Sequence, residues 1–235
     1  QALAGHREDI VVATKFSNVF DAETRQIIGS DVSPAYIRQA CEASLKRLDT
    51  DHIDLYQLHN GGLPIEEAES VRETLEALVT EGKIRAYGWS TDDPARAAFF
   101  AEGPHCAAVQ NQMNVFSDAS EIIALCEVEN LASINRGPLA MGLLSGKYTA
   151  GSKLAENDVR GENAPSWMQY FKGGQPNPVF LEKLAAIRDL LTSDGRTLVQ
   201  GALGWLWARS PKTVPIPGFR NPRQVKENAG AMAFG

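Results

Sequence analysis

The chain has 235 residues, of which 43% are hydrophobic, and its formal net charge is −6 at pH 7. This length can bury one sizeable core, so we expect a single domain over residues 1–235. The acidic charge argues against nucleic acid as a partner, because phosphates require a basic face, and no apolar stretch is long enough to span a membrane.

Short apolar segments alternate with helical patterns along the chain, which predicts βα units and a parallel sheet. The predicted strands are 10–15, 52–58, 84–90, 107–112, 131–136 and 213–216. Proline after a capping residue marks three helix starts, at Ser33, Asp93 and Asn221. Further helices are predicted at 67–81, ending at Gly82, and at 119–129, 178–192 and 197–209.

The segment 149–178 is rich in Gly, Pro, Asn and Ser and has no clear periodicity. A loop of this length in a compact domain is usually functional, so we expect a lid or a substrate wall. Its apolar residues Trp167, Met168 and Phe171 are candidates for that wall, with simple packing as the alternative.

Three cysteines, Cys41, Cys106 and Cys126, are odd in number and lack the spacing of a metal site. We predict that they are reduced packing residues, as is usual in a cytoplasmic protein, and we expect no metal. The first residues lack the basic and apolar regions of a secretory signal.

Two ionisable side chains each follow a predicted strand: Lys15 follows the apolar residues 10–12, and His59 follows 53–58. A parallel α/β barrel places its chemistry at the carboxyl ends of its strands. Taken alone, each residue has an ordinary explanation, since such a lysine is usually solvated and such a histidine is usually hydrogen-bonded in the core.

The sequences around these residues, ATKF at 13–16 and DLYQLHN at 54–60, resemble the third and fourth strands of the aldo-keto reductases. Later segments match the same family in order. The resemblance implies a (β/α)₈ TIM barrel, of which this chain supplies strands three to eight. The opening QALA resembles the family segment before the third strand, so we expect the first two βα units upstream.

The resemblance also implies a catalytic tetrad of Asp, Tyr, Lys and His. In the family the tyrosine donates a proton, the lysine, held by the aspartate, lowers the tyrosine pKa, and the histidine polarises the carbonyl. Lys15 and His59 match the lysine and the histidine. The aspartate and the tyrosine belong to the part expected upstream, and no tyrosine of this chain matches.

Two segments resemble family strands whose ends contact the nicotinamide carboxamide. GWST at 88–91 resembles the fifth strand, which assigns Ser90 and Thr91, with Thr91 in place of the usual asparagine. VQNQMNVF at 109–116 resembles the sixth strand, whose glutamine aligns with Gln110 or, alternatively, with Gln112. Without the family context, each would be an ordinary polar strand end.

RGPLAMGLLSGKY at 136–148 resembles the seventh-strand loop, where glycines let the backbone approach a pyrophosphate. Arg136 stands where many relatives place an aromatic residue that stacks on the nicotinamide. The other positions that the resemblance assigns to the cofactor phosphates are Gly137, Pro138, Leu139, Gly142, Lys147 and Arg160.

PIPGFRNPRQVKEN at 215–228 resembles the eighth-strand loop and the helix that follows it. The match assigns the adenosine phosphate to Gly218, Phe219 and Arg220, and the adenine to Gln224, Glu227 and Asn228. Arg220 would favour a 2′-phosphate, hence NADP over NAD. The alternative is a capped surface helix with solvated basic residues. The Rossmann glycine motif does not occur.

The sequence therefore predicts an NADP(H)-dependent aldo-keto reductase that reduces aldehydes or ketones, with a small carbonyl compound as substrate and without nucleic-acid or membrane partners. One alternative is a protein of this fold that binds NADP(H) as a sensor or subunit and turns over little. Another is an inactive truncation. The individual substrate and the oligomeric state are not predicted.

Overall fold

The computed structural model describes residues 5–234, so the opening QALA motif lies outside the described residues. Contacts divide the chain into two compact units. The first unit comprises Gln1–Asn111 and Ser120–Ser133, and the second comprises Gln112–Ala119 and Ile134–Gly235. The expectation of a single domain over residues 1–235 stays a prediction.

Six strands are hydrogen-bonded in the order β1-β4-β5-β6-β7-β10, and the pairs β1–β4, β4–β5 and β5–β6 are parallel. Their bounds are Ala13–Phe16 (β1), Ile53–Leu58 (β4), Ile84–Trp89 (β5), Cys106–Gln112 (β6), Ala132–Arg136 (β7) and Thr213–Pro215 (β10). All six predicted strands are present. The largest boundary error is at β1, which begins with its pairing to β4 at Ala13 rather than at residue 10.

Seven α-helices lie in the described chain, and their starts follow the sequence signals. They are Pro34–Leu48 (α1), Ile65–Thr80 (α2), Pro94–Ala101 (α3), Ser120–Val128 (α4), Pro178–Leu191 (α5), Leu198–Arg209 (α6) and Pro222–Gly230 (α7). The side chains of Ser33, Asp93 and Asn221 each accept hydrogen bonds from backbone N–H groups of the first turn. The three predicted caps are therefore confirmed.

Two antiparallel hairpins were not predicted. β2 (Asn18–Phe20) pairs with β3 (Ile27–Ser30), and β8 (Phe171–Lys172) pairs with β9 (Gln175–Pro176) inside the segment expected to be irregular. These strands have only two to four residues, too few to display an alternating pattern. The first hairpin begins at Ser17, a buried residue with a φ of 106°.

The core of the first unit lies between the helices and the strands that they follow. The α1 stripe of Ile37, Cys41 and Leu45 is buried against it, as its spacing predicts. Burial raises the pKa of the Cys41 thiol to about 11, which keeps it protonated at neutral pH. This fits the predicted packing role.

The second unit has its own core, built from α5, α6 and the segment 140–171. Met168 and Phe171 are buried in this core, so the structure favours packing over the substrate wall for these two residues. Trp167 is exposed. Among residues 5–234, no helix is long and apolar enough to cross a membrane, and no cluster of His, Cys, Asp or Glu could hold a metal ion.

Candidate active site

In the first unit, Lys15 and His59 lie at the carboxyl ends of two adjacent parallel strands. Lys15 is paired in register with Gln57, and the His59 N–H donates to the Phe16 carbonyl oxygen (3.0 Å). Lys15 is half-buried and His59 is exposed. The structure therefore brings both predicted catalytic residues to one end of the β1–β4 pair, where a barrel places its chemistry.

The loop that carries His59 is held by the end of β5. Trp89 Nε1 donates to the Asn60 carbonyl oxygen (2.8 Å), and the Thr91 hydroxyl donates to the Gly61 carbonyl oxygen (3.0 Å). A Cβ at position 61 would lie in tight contact with the Ser90 carbonyl oxygen, at 3.0 Å, so glycine is favoured there. Thr91 thus positions the His59 loop through its side chain.

Asn18, which the sequence analysis did not single out, contacts the imidazole of His59. Its Nδ2 lies 3.3 Å from His59 Nδ1, and its carbonyl oxygen accepts from the Tyr36 hydroxyl (2.7 Å). An amide nitrogen is only a donor, so this contact favours the tautomer of a neutral His59 in which Nδ1 accepts and Nε2 carries the proton. No local pattern could have revealed this contact, because Asn18 belongs to the unpredicted hairpin.

Two buried amide side chains of the first unit have an oxygen without a hydrogen-bond partner in the described part of the chain. Gln110 is only 3% exposed and Gln57 only 1% exposed, and neither Oε1 has a hydrogen-bond partner within residues 5–234. A buried carbonyl oxygen without a donor is costly. The amide N–H₂ of a nicotinamide carboxamide would supply such a donor, so Gln110 fits the predicted contact, and the Ser90 side chain is buried on the preceding strand.

β5 and β6 approach closely at Gly88, the first residue of the GWST motif. A Cβ at position 88 would lie 2.3 Å from the Ala108 carbonyl oxygen, so no other residue fits there. The close approach of the two strands therefore explains why the GWST motif begins with glycine. Ser90 follows two residues after Gly88, just past the end of β5, and Gln110 lies two residues after Ala108 in β6.

In the second unit, the 136–148 segment forms a tight turn after β7. Gly137, Ala140, Met141 and Gly142 all have positive φ angles, from 47° to 91°. Left-handed conformation is strained for Ala and Met, and such strain is concentrated at functional loops. Within this turn, the N–H groups of Ala140 and Gly142 donate to the Gly137 and Leu139 carbonyl oxygens (2.9 and 2.8 Å). The pyrophosphate contact of residues 137–142 stays a prediction.

Arg160 stabilises the turn after β7 through hydrogen bonds of its guanidinium group. Its Nη1 donates to the Met141 carbonyl oxygen (2.9 Å) and to the Tyr148 hydroxyl (2.7 Å), while Nε and Nη2 bind the Asp158 carboxylate at 2.8 and 2.7 Å. These bonds hold the pKa of Asp158 well below its usual range. Four of the five guanidinium N–H donors are thereby used within the protein, and Lys147 follows the turn with Nζ 4.8 Å from the Tyr148 ring centroid.

Arg136 is engaged with Gln112 rather than pointing alone from its strand. Its Nη1 donates to Gln112 Oε1 (3.1 Å). Of the two glutamines that the sequence left open for the carboxamide, Gln112 is therefore committed to Arg136. Gln110 remains the better match.

The segment 218–228 begins α7 with a capped first turn. Asn221 Oδ1 accepts from the Gln224 N–H (3.0 Å), and Gln224 Oε1 accepts from the Arg220 N–H (2.7 Å). Gly218, Phe219 and Arg220 are exposed just before this helix N-terminus. Glu227 and Asn228 are half-buried one turn later, and the charge of Arg220 contributes to the lowered pKa of Asp158.

Residues 1–235 match the family model described as "Aldo/keto reductase family". "Aldo-keto reductase yakc [NADP(+)]" of Schizosaccharomyces pombe is 32% identical over 237 residues, which cover 97% of this chain and 66% of the relative. "Pyridoxal reductase, chloroplastic" of Arabidopsis thaliana is 30% identical over 246 residues, which cover 100% of this chain and 61% of the relative. The chain thus spans less than two thirds of the length of these relatives.

Solved structures give the same result. The glycerol dehydrogenase AKR11B4 from Gluconobacter oxydans matches with a TM-score of 0.79 at 30% identity, over 100% of this chain and 70% of that one. The holo form of aldo-keto reductase AKR11C1 from Bacillus halodurans matches with a TM-score of 0.76 at 29% identity, over 98% of this chain and 70% of that one. Together with the parallel sheet, these likenesses confirm the predicted α/β barrel class.

Proposed function

This chain belongs to the aldo/keto reductase family, and on that premise we propose that the protein reduces aldehydes or ketones to alcohols with NADPH. The observation that carries the proposal is the placement of Lys15 and His59 at the carboxyl ends of adjacent parallel strands. A cation and an imidazole at one strand end are the groups that carbonyl reduction needs beside its proton donor.

In this proposal, His59 polarises the substrate. Its Nε2–H donates a hydrogen bond to the carbonyl oxygen and stabilises the negative charge that develops there. Asn18 holds the tautomer that makes this donation possible. Lys15 supplies a positive charge that lowers the pKa of a neighbouring phenolic proton donor, the role that the family resemblance gives to a residue expected upstream.

The cofactor would be held at three places. Ser90 and Gln110 bind the carboxamide, with Thr91 securing the loop beside them; the turn after β7 binds the pyrophosphate; and the start of α7 binds the adenosine part. The residues proposed outside the first unit are Arg136, Gly137, Pro138, Leu139, Gly142, Lys147, Arg160, Gly218, Phe219, Arg220, Gln224, Glu227 and Asn228. When bound, NADPH supplies the hydride that reduces the carbonyl carbon.

The test is Lys15→Met, with NADPH oxidation followed on a panel of aldehydes and ketones and NADPH affinity measured by its fluorescence. We expect turnover to fall by at least about a hundredfold, because the proton donor loses its activating charge. NADPH affinity should change by less than about twofold, because Lys15 lies outside the proposed cofactor contacts.

Lys172→Met is the matched control, because it removes an exposed lysine in β8 of the second unit. Wild-type turnover in Lys15→Met would remove Lys15 from the mechanism. NADPH binding by the wild-type protein without turnover of any carbonyl compound would favour the alternative, a cofactor-binding subunit.

A further inference from the structure

A chain of partly buried hydrogen bonds in the second unit leads from the long segment 149–178 to Arg136. Gln112 occupies its centre: Oε1 accepts from Arg136 Nη1 (3.1 Å), and Nε2 donates to the Tyr170 hydroxyl (2.9 Å). These two contacts use opposite ends of one amide. If the Gln112 amide turned over, an N–H₂ group would face the donor-only guanidinium, so the amide has one favourable orientation between Arg136 and Tyr170.

The Tyr170 hydroxyl is itself fixed by Asn114. Asn114 Nδ2 donates to that hydroxyl (2.9 Å) and to the Gly137 carbonyl oxygen (2.9 Å), while its Oδ1 accepts from the Phe116 N–H (3.0 Å). With its amide bonded at both ends to the backbone, Asn114 has a single orientation. The Tyr170 hydroxyl therefore accepts from two amides whose positions are set by the strand ends.

Packing holds the Tyr170 ring in the same place. Tyr170 is 3% exposed and lies edge-on to Phe180, with 4.9 Å between the ring centroids, and Phe116 covers its other side at 6.3 Å. A buried aromatic ring with several such contacts has few alternative rotamers. A rigid part of the segment 149–178 therefore holds the Tyr170 hydroxyl next to Gln112.

We propose that Tyr170 and Gln112 are positioning residues that hold the Arg136 guanidinium in one place, and that this fixed cation makes the site prefer NADPH to NADP⁺. The inference rests on the proposed function, in which Arg136 stands beside the nicotinamide. The oxidised nicotinamide ring carries a positive charge and the reduced ring does not, so a nearby fixed cation disfavours only the oxidised form. The consequence is faster release of oxidised cofactor and a bias toward carbonyl reduction.

The experiment measures the dissociation constants of NADPH and NADP⁺ for the wild-type protein and for Tyr170→Phe, Gln112→Met and Arg136→Gln. We expect the ratio of the NADP⁺ constant to the NADPH constant to fall by at least about fivefold in Tyr170→Phe and Gln112→Met, since the guanidinium is then no longer held near the ring. Arg136→Gln, which removes the charge, should give the lowest ratio.

A double-variant cycle separates positioning from general loosening of the fold. In the Arg136→Gln background, Tyr170→Phe should leave the ratio unchanged, because no charge remains to be positioned. Tyr87→Phe is the matched control: it also removes the hydroxyl of a fully buried tyrosine, here one that donates to Glu76 in the first unit (2.6 Å). It should lower the melting temperature and leave the ratio unchanged.

The outcomes distinguish this inference from the function on which it rests. Wild-type ratios in Tyr170→Phe and Gln112→Met, with NADPH still bound, would overturn the positioning role and leave the reductase proposal intact. An equal loss from Tyr170→Phe in the wild-type and Arg136→Gln backgrounds would also overturn it. A wild-type protein that binds neither cofactor would overturn both.

Discussion

At the scale of single residues, the contact between Asn18 and His59 decides which imidazole nitrogen carries the proton. An amide N–H₂ opposite Nδ1 forces the neutral ring into the Nε2–H form. Asparagine and aspartate have the same shape but opposite hydrogen-bonding roles at this position. The pair therefore offers a test of tautomer control that leaves the packing almost unchanged.

Asn18→Asp should confine activity to lower pH. A carboxylate opposite Nδ1 raises the imidazole pKa relative to the wild-type protein, and it favours Nδ1–H once the ring is neutral. Below that pKa the imidazolium still donates from Nε2; above it the donor is lost. We expect kcat/KM to fall by at least about tenfold between pH 6 and pH 8.5 relative to the wild-type profile.

Asn18→Leu is the comparison for this prediction, since it removes the contact without reversing its polarity. Its kcat/KM should be lower at every pH, with a profile shaped like that of the wild type. Identical pH profiles for Asn18→Asp and the wild type would mean that another group sets the tautomer.

Arg220 is the residue by which we expect the protein to distinguish NADPH from NADH. It is exposed immediately before the α7 N-cap, where a ribose 2′-phosphate would meet both the guanidinium and the helix N-terminus. Arg220→Ala should weaken NADPH binding by at least about tenfold and NADH binding by less than about twofold. Titrating both cofactors by fluorescence checks this, with Arg223→Ala, three residues further on and also exposed, as the control.

At the scale of elements, the β2–β3 hairpin is started by a strained residue. Ser17 has a φ of 106°, is fully buried, and its hydroxyl has no hydrogen-bond partner in the described part of the chain. Both features cost free energy, and both serve to turn the chain after Lys15 so that Asn18 reaches His59. The strain is located beside the proposed catalytic residues.

Ser17→Gly should therefore stabilise the protein. Glycine adopts positive φ without strain and removes the unsatisfied hydroxyl, and these gains exceed the added backbone entropy of the unfolded chain. We expect the free energy of unfolding to rise by about 1 kcal/mol, measured by urea denaturation. A loss of stability would show that the Ser17 conformation is relaxed, and Ser30→Gly, at the exposed end of β3, is the comparison.

At the scale of the whole molecule, an ion cluster at the amino ends of the strands makes the free energy of unfolding depend on pH in acid. The buried Asp54 carboxylate accepts from the Val12 N–H (2.9 Å) and lies 2.8 Å from an Arg7 nitrogen and 3.3 Å from an Arg85 nitrogen. Burial alone would raise the pKa of Asp54, but these partners together lower it. The carboxylate therefore contributes stability above its unfolded pKa of about 4, which is lost as the pH falls through the lower folded pKa.

Asp54→Asn should reduce stability at pH 7 and weaken its dependence on acid. Two arginines would lose their buried partner, which costs about 2 kcal/mol at neutral pH. As the pH falls through the lowered pKa of Asp54 and the wild-type carboxylate is protonated, the two proteins should converge. Denaturant titrations at several pH values test this, and Glu73→Gln, an exposed carboxylate on α2, should leave the curve unchanged.

Local patterns were sufficient for the order of strands and helices, the three capped helix starts and the positions of Lys15 and His59. Each of these depends on residues within a few positions of one another, where periodicity, caps and prolines act. Boundaries were less well predicted, as at β1, because a strand begins where its neighbour pairs with it.

The sequence by itself thus determined the family, the α/β class and which strand ends carry ionisable groups. The tertiary structure alone decided what those groups contact: Asn18 meets His59 across 41 positions of sequence, and Tyr170 meets Gln112 across 58. It also separated Gln110, whose buried carbonyl oxygen has no partner among residues 5–234, from Gln112, which is bonded to Arg136. The physical reason is that a hydrogen bond depends on distance and direction in space, and these appear only after the chain has folded.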